Sequence, residues 1–165
     1  NGTCGNTNTM LIQKRVLFET GLFRPGQPRM NDEDMWFRIA YRCPQIGYLT
    51  DPLAVYHQGT PNSVVKKHNH PDIVIELIHR HLALAAAHGR QDVFRSVARC
   101  ITKMWIHWSW ADRRIYQIRP LLRKLGFLLP AWYRGIVYIL TIFPGLTLHC
   151  MPILRKINKH LKLPI

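Results

Sequence analysis

The residues of this chain most capable of chemistry are the four consecutive polar residues Asn31-Asp32-Glu33-Asp34. They follow a loop, residues 22–30, that is rich in proline and glycine, and they precede an apolar segment with helical spacing. Neighbouring carboxylates at the edge of a loop can supply a general base or hold a divalent cation. Acidic residues in the first turn of a helix also serve as a cap and match the helix dipole. The residue types alone leave both roles open.

The elements that position this segment are predicted to alternate between helix and strand up to about residue 57. Residues 14–20 predict a short helix that ends at Gly21, and residues 32–42 predict a second helix that ends at Cys43-Pro44. Apolar residues 46–49 and 53–56, separated by Thr50-Asp51-Pro52, are typical of two strands joined by a turn.

Beyond Pro61 the apolar spacing is helical throughout. One helix is predicted from Pro71 to Gly89, a second from Asp92, and residues 113–124 predict a basic amphipathic helix. Residues 135–154 contain no Asp, Glu, Lys or Arg, and their number suffices to cross a bilayer. Because Pro144-Gly145 interrupts them, three arrangements stay open: a membrane span, a re-entrant or interfacial segment, and a buried helix pair.

Charge is distributed unevenly along the 165 residues, whose formal net charge is +14. Residues 1–60 carry a net charge of +1, whereas residues 61–165 carry +13. This asymmetry predicts an anionic partner for the second part, either phospholipid or nucleic acid. No zinc finger, helix-turn-helix or RNA-binding motif accompanies the charge, and Trp105 and Trp108 share a helical face with Ile101. We therefore expect an anionic membrane surface and no nucleic acid.

The cysteines and the first residues bear on the cellular compartment. The four cysteines contain no Cys-x-x-Cys pair, which favours reduced thiols in the cytoplasm over a zinc ribbon or a disulfide scaffold. The chain opens Asn1-Gly2-Thr3, with no initiator Met and no visible signal peptide, so we expect a piece of a longer protein. The nine histidines, His57 excepted, are expected to be solvated or to cap helices.

A longer string around the acidic segment resembles a known family. Gly21-Leu22-Phe23, a proline-containing loop, and then Asn31-Asp32-Glu33-Asp34-Met35-Trp36-Phe37-Arg38-Ile39-Ala40 resemble the second half of the catalytic domain of family 2 glycosyltransferases. In that family the corresponding stretch reads Gly-x-Phe, a loop, and Glu-Asp-x-Asp-Leu-Trp-Leu-Arg. The resemblance runs from Thr7 to Ser63 and ends in a Tyr-x-x-Gly-x-x-x-Ser segment.

The resemblance implies a fold and a set of site residues. The fold class would be α/β: a partial nucleotide-sugar (GT-A) domain over residues 1–63, followed by a mainly α-helical tail. Alignment on Trp36 and Arg38 makes Asp32 the catalytic base of an inverting transfer, and the alternative register makes Asp34 the base. Asn31 and Glu33 beside the base, together with Arg38 and His57, are the implied substrate contacts, and Arg38 also suits pairing with a neighbouring carboxylate.

The resemblance also implies what lies outside the chain. The intact enzyme would use Mg or Mn, with ligands mostly upstream of Asn1, because Asp32-Glu33-Asp34 matches Asp-x-Asp without the buried strand that precedes that motif. The donor-binding half is absent, so this chain alone is expected to be inactive. The partners would be a nucleotide-sugar donor and a sugar or lipid-linked acceptor, in cell-envelope polysaccharide, lipopolysaccharide or glycolipid assembly.

Two further segments complete the predicted organisation. Residues 64–125 would form a helical hairpin with a basic amphipathic helix, and residues 126–165 an apolar membrane-associated segment with a basic end. The predicted location is the cytoplasm, at the inner face of the membrane. The alternative, from a different class of protein, is a non-catalytic basic helical module that binds membrane or nucleic acid.

Overall fold

The computed structural model describes residues 7–43, 45–55 and 69–143, and in these residues every regular element is helical. The α-helices are α1 (Lys14–Thr20), α2 (Asn31–Arg42), α3 (Pro71–Ala87), α4 (Gln91–Ala111), α5 (Ile118–Leu125) and α6 (Ala131–Ile142). Short 3-10 turns occupy Thr7–Thr9, Ile115–Gln117 and Gly126–Leu128. The chain divides into two compact units, Asn1–Phe94 and Arg95–Ile165, and α4 is the helix in which the division falls.

The prediction of an α/β fold is wrong for the described residues. Residues 45–55 have no regular secondary structure, so the strand predicted at 46–49 and the described part of the strand predicted at 53–56 do not form. The residues before α1 form a 3-10 turn at Thr7–Thr9 and have no regular structure from there to Gln13. A strand needs a neighbour to pair its backbone N–H and C=O groups, and the described residues supply none. Apolar spacing alone therefore misled the assignment.

The predicted helices form, although the one predicted over 113–124 begins only at Ile118, after a 3-10 turn. Local chemistry explains several of the helix ends. Gly21 ends α1 in the left-handed conformation, with φ of 91°, and its N–H reaches back to the carbonyl of Phe18. Pro71 opens α3, where the backbone N–H of Asp72 donates to Nδ1 of His70. The acidic first turn of α2 suits the positive end of its dipole.

The first unit encloses a core shared by α2, α3 and the start of α4. Helix α2 packs against both α1 and α3. The rings of Phe37 and Phe94 meet edge to face, with centroids 5.3 Å apart. The apolar core residues of this unit are Met30, Met35, Trp36, Phe37, Val74, Ile75, Leu77, Ile78, Ala85 and Phe94.

The second unit is built on aliphatic packing along α4, α5 and α6. Helix α5 turns Ile118, Leu121, Leu122 and Leu125 inward and carries its basic residues on the exposed side. Helix α6 packs against α5. Other buried apolar residues here are Ala98, Ile101, Trp105, Ile106, Leu128, Leu129 and Val137.

The uncharged segment predicted at 135–154 falls only partly within the described residues. Its first residues belong to α6, which ends at Ile142, and residues from 144 onward lie outside the description. Among residues 7–43, 45–55 and 69–143, no helix combines the length and the apolar composition needed to cross a bilayer.

Candidate functional site

The acidic segment forms the first turn of α2, and helix geometry separates its carboxylates. Residues two apart on a helix point about 200° apart, so Asp32 and Asp34 face different surroundings. The Asp34 side chain has no exposed surface, whereas Asp32 and Glu33 are partly exposed. Two neighbouring acids of one motif thus occupy opposite environments.

Asp34 is the centre of a buried polar cluster. Its Oδ2 accepts a hydrogen bond from Nε of Arg38 at 2.9 Å, and Nη2 of the same arginine lies 2.9 Å from this oxygen as its ion-pair partner. Its Oδ1 accepts from Nη2 of Arg80 at 2.8 Å and lies 3.0 Å from Nε2 of His81. Burial opposes ionisation, but the hydrogen bond with His81 and the charges of the two arginines outweigh it and hold the pKa of Asp34 well below its usual range. Both carboxylate oxygens of Asp34 are therefore engaged in contacts within the protein.

His81 completes a chain of hydrogen bonds that ends at Tyr41. Burial lowers the pKa of His81 although Asp34 favours its charged form, so the ring is neutral near pH 7. Nε2–H then donates to Asp34, and Nδ1, 3.0 Å from the Tyr41 oxygen, accepts the phenol proton. Burial, reinforced by the charge of Asp34, raises the pKa of Tyr41 and keeps its hydroxyl protonated.

Arg38 joins this cluster to the end of α1. In addition to binding Asp34, it donates from Nη1 to the carbonyl of Thr20 and from Nη2 to the carbonyl of Leu22, both at 2.6 Å. Gly21, between these carbonyls, lies so close that an added Cβ would be 3.6 Å from Nη1 of Arg38. The arginine predicted as a substrate contact is thus committed to the α1–α2 turn and to Asp34.

Asp32 and Glu33 form a second, more accessible pair of carboxyl groups. Oδ1 of Asp32 accepts from the backbone N–H of Glu33 at 3.1 Å, and Oδ2 accepts from the Thr7 hydroxyl at 3.3 Å. Burial, together with the hydrogen bond and charge of Asp32, raises the pKa of Glu33 to about 8. Burial also acts on Asp32, but hydrogen bonds from Glu33 and Thr7 overcome it and lower the pKa of Asp32. At neutral pH one proton resides on Glu33, and Asp32 is ionised.

The other predicted site residues fall in different places. Asn31 is exposed, and its Oδ1 accepts from the backbone N–H of Asp32 at 2.9 Å. His57 lies outside the described residues. Within the part of the chain that the structure describes, no group of three or more His, Cys, Asp or Glu side chains is placed to hold a metal ion. The Mg or Mn ion that the resemblance implies stays a prediction.

Sequence reasoning missed the contribution of α3 to this site. Arg80 and His81 bind Asp34 from 46 and 47 positions away, and His81 was expected to be solvated or to cap a helix. That expectation is wrong, because His81 is fully buried. The available signal was its spacing: His81 follows Ile78 by three positions and precedes Ala85 by four, so it belongs to the apolar face of α3. A polar residue on such a face requires a buried partner.

No family model, curated protein or solved structure matches the chain.

Proposed function

We propose that this chain is the acceptor-side part of an inverting glycosyltransferase in which Asp32 is the general base. The observation that supports the proposal most is that Asp32 and Asp34 have different surroundings. Asp34 is buried and saturated by cationic partners, whereas Asp32 is partly exposed and ionised. A general base must be ionised and within reach of its substrate, and Asp32 is the ionised, partly exposed aspartate of the segment.

In the proposed reaction Asp32 accepts the proton of an acceptor hydroxyl while that oxygen attacks the anomeric carbon of the donor sugar. The bond from this carbon to the nucleotide diphosphate breaks, and the diphosphate leaves from the opposite face with inversion of configuration. A single displacement of this kind needs one base within hydrogen-bond reach of the acceptor. Asp34 and Arg38 hold the start of α2 against α1 and α3, which fixes the base.

Exposed apolar side chains support the idea that the donor-binding part lies elsewhere. Ile46, Tyr48, Leu49, Leu53 and Val55 are between 68% and 85% exposed, within a segment that has no regular structure. Such a concentration of large exposed apolar residues is typical of a surface that another part of a protein covers. We propose that the donor-binding part covers it, and that Mg or Mn binds in that part. The chain alone should therefore transfer no sugar.

The test of the transfer proposal is Asp32→Asn in the protein that includes the donor-binding part. Loss of a general base typically slows a reaction by about 10² to 10⁴, while donor affinity should stay unchanged. Glu76→Gln, which changes an exposed carboxylate of α3 to an amide, is the control and should transfer at the wild-type rate. Wild-type turnover by Asp32→Asn would refute the assignment.

We further propose that the second unit docks on an anionic membrane surface, at the cytoplasmic face. Helix α6 supports this, because most of its outward side chains are apolar or aromatic. Its inward side carries Val137 and Thr141, and its outward side carries large apolar and aromatic side chains, among them Trp132 at 64% and Ile139 at 57% exposure. Tryptophan and tyrosine favour the headgroup region of a bilayer. The outward residues are Trp132, Ile136, Tyr138, Ile139, Ile142 and Phe143.

Length and charge favour an interfacial position for α6. Twelve residues make a helix of about 18 Å, against about 30 Å for the hydrocarbon core. Its one charged residue, Arg134, lies along Gly126, where an added Cβ would be 3.1 Å from Cδ of the arginine. The neighbouring helix α5 exposes Arg119, Arg123 and Lys124, and each basic residue near an anionic surface contributes roughly 1 kcal/mol.

Flotation with vesicles that contain phosphatidylserine tests the docking proposal. The wild-type chain should float with the vesicles, and added salt should weaken the association. Ile139→Glu places a charge on the outward face and should abolish flotation. Val93→Glu, at an exposed apolar residue of α4, is the control and should float like wild type. No flotation at low salt, or unchanged flotation of Ile139→Glu, would contradict the proposal.

The second candidate function is a membrane-binding module without catalytic activity. The outward face of α6 favours it, because that face needs no catalytic site to explain it. The two candidates separate in the transfer assay: a non-catalytic module gives no turnover in any context, and Asp32→Asn then changes nothing.

A further inference from the structure

The cationic groups around Asp34 exceed the negative charge that they face. Asp34 offers two oxygens, and these are occupied by Arg38, Arg80 and His81. A third guanidinium, that of Arg24, has its Nε 3.9 Å from Oδ1 of Asp34, too far for a hydrogen bond. Arg24 is therefore attracted to the cluster without being bonded by it.

The remaining titratable groups do not remove this excess. His81 is neutral, because burial lowers its pKa. Glu33 is protonated near pH 7, and Asp32, which is ionised, faces Thr7 on another side of α2. Arg29 adds a further positive charge near Glu33 and also donates from Nη1 to the side chain of Asn69 at 3.0 Å. Arg24, Arg38 and Arg80 therefore face a single ionised carboxylate, that of Asp34.

Two of the three arginines are accessible. The Arg24 side chain is 46% exposed and that of Arg80 is 27% exposed, whereas Arg38 is 13% exposed. Arg24 and Arg80 both lie within 4 Å of the same carboxylate oxygen, so their guanidinium groups are neighbours. Gln27 holds Arg80 in place by accepting from its Nη2 at 2.9 Å, and Gln27 itself is fixed by donating to the Met30 carbonyl at 2.7 Å.

We propose that Arg24 and Arg80 bind the phosphate group of a phosphorylated ligand. Two neighbouring guanidinium groups with an accessible edge match the several acceptor oxygens of a phosphate, which can be bound in a bidentate manner. A bound dianion also offsets the repulsion between the two arginines. The phosphate belongs either to a nucleotide or to a lipid headgroup, and the recognising chemistry is the same. This site is distinct from the proposed base and does not depend on the transfer proposal.

The experiment is titration of the chain with inorganic pyrophosphate, followed by the NMR signals of the arginine Nε–H groups. Pyrophosphate should shift the signals of Arg24 and Arg80 and saturate. Arg24→Gln should weaken binding about tenfold or more, as expected for loss of a charge-assisted contact. Arg15→Gln removes the same charge from an arginine that is 79% exposed on α1, and it should change affinity less than twofold.

Further arms identify the source of the phosphate and separate this proposal from the transfer proposal. Uridine diphosphate and a short-chain phosphatidic acid below its micelle concentration are titrated in parallel, and binding of either one that Arg24→Gln weakens supports the site. Arg24→Lys keeps the charge but loses the planar fork, and it should bind more weakly than wild type. Asp32→Asn should bind pyrophosphate normally, whatever its transfer activity. Absence of saturable shifts, or equal weakening by Arg15→Gln and Arg24→Gln, would overturn the proposal.

Discussion

The two units of this chain bury different kinds of surface. The first unit, Asn1–Phe94, places a carboxylate, two arginines and a histidine at its centre, whereas the second unit, Arg95–Ile165, is centred on aliphatic side chains. Two surface regions differ as well: around the acidic segment the first unit exposes Arg24 and part of Asp32, and the second unit exposes the apolar face of α6. Polar groups in the core specify one arrangement, and apolar groups at the surface require a partner.

The two units should lose stability through different kinds of substitution. A buried ionic cluster is stable only when every member is paired, so loss of one member leaves charges without partners. An aliphatic core loses stability in proportion to the volume removed and responds little to pH. The first unit should therefore be sensitive to charge and pH, and the second to the size of its side chains.

The largest effect should follow Asp34→Asn, which removes the charge at the centre of the buried polar cluster in the first unit. The amide cannot neutralise Arg38 and Arg80, so unfolding free energy should fall by roughly 3–5 kcal/mol. Hydrogen exchange of α2 should accelerate while exchange of α5 stays unchanged. The exposed Asp51→Asn is the control, with an expected change within about 0.5 kcal/mol. Wild-type exchange in α2 of Asp34→Asn would contradict the structural role of this carboxylate.

Leu125→Ala should produce the corresponding effect in the second unit. Leu125 is fully buried, and truncation leaves a cavity worth about 3 kcal/mol of unfolding free energy. Exchange should now accelerate in α5 and not in α2, and the loss should be the same at pH 5 and pH 8. Phe127→Ala, at a side chain that is 56% exposed, provides the comparison and should cost much less.

A smaller effect is expected on the pH dependence of stability, and it tests which carboxyl group of the Asp32–Glu33 pair carries the proton. Because the folded pKa of Glu33 is raised to about 8, from an ordinary value of 4.5, its contribution to stability is complete below pH 4.5. That contribution is lost as pH rises from 4.5 to about 8. Wild type should therefore lose stability relative to Glu33→Gln over this interval, in urea unfolding at matched pH. If the difference in unfolding free energy between the two proteins does not vary with pH, the raised pKa of Glu33 is refuted.

The smallest effect is expected for Thr7→Val. Removal of its hydroxyl takes away one hydrogen bond to Asp32, which should raise the pKa of Asp32 and cost about 1 kcal/mol or less. The ¹³C shift of the Asp32 carboxyl group during a pH titration measures this change directly. Thr50→Val, in an exposed segment, should leave the Asp32 titration unaltered.

The helices could be predicted from the sequence because their signals are local. Gly21 and Pro71 mark helix ends by backbone conformation alone, and the apolar spacing of α2 through α5 is periodic. The failed strands show the limit of this reasoning. Residues 46–49 have strand-like composition, but pairing depends on a neighbour that local composition does not reveal.

The candidate site was predicted in part. The motif pointed to Asp32 and Asp34 and to a carboxylate partner for Arg38, since residues 34 and 38 are one helical turn apart. Arg80 and His81 could not be placed, because their contacts with Asp34 depend on how α3 packs against α2. Arg24 in the loop was missed for the same reason. Long-range packing, which spacing does not encode, decides which side chains surround a buried charge.

Asp32→Asn and Asp34→Asn should be compared in one protein that carries the proposed donor-binding part, by measuring both sugar transfer and unfolding. Asp32→Asn should unfold like wild type, bind donor normally and lose transfer by about 10² or more. Asp34→Asn should instead lose stability. Transfer at the wild-type rate by Asp32→Asn, or a loss of stability equal to that of Asp34→Asn, would contradict the division between a catalytic and a structural carboxylate.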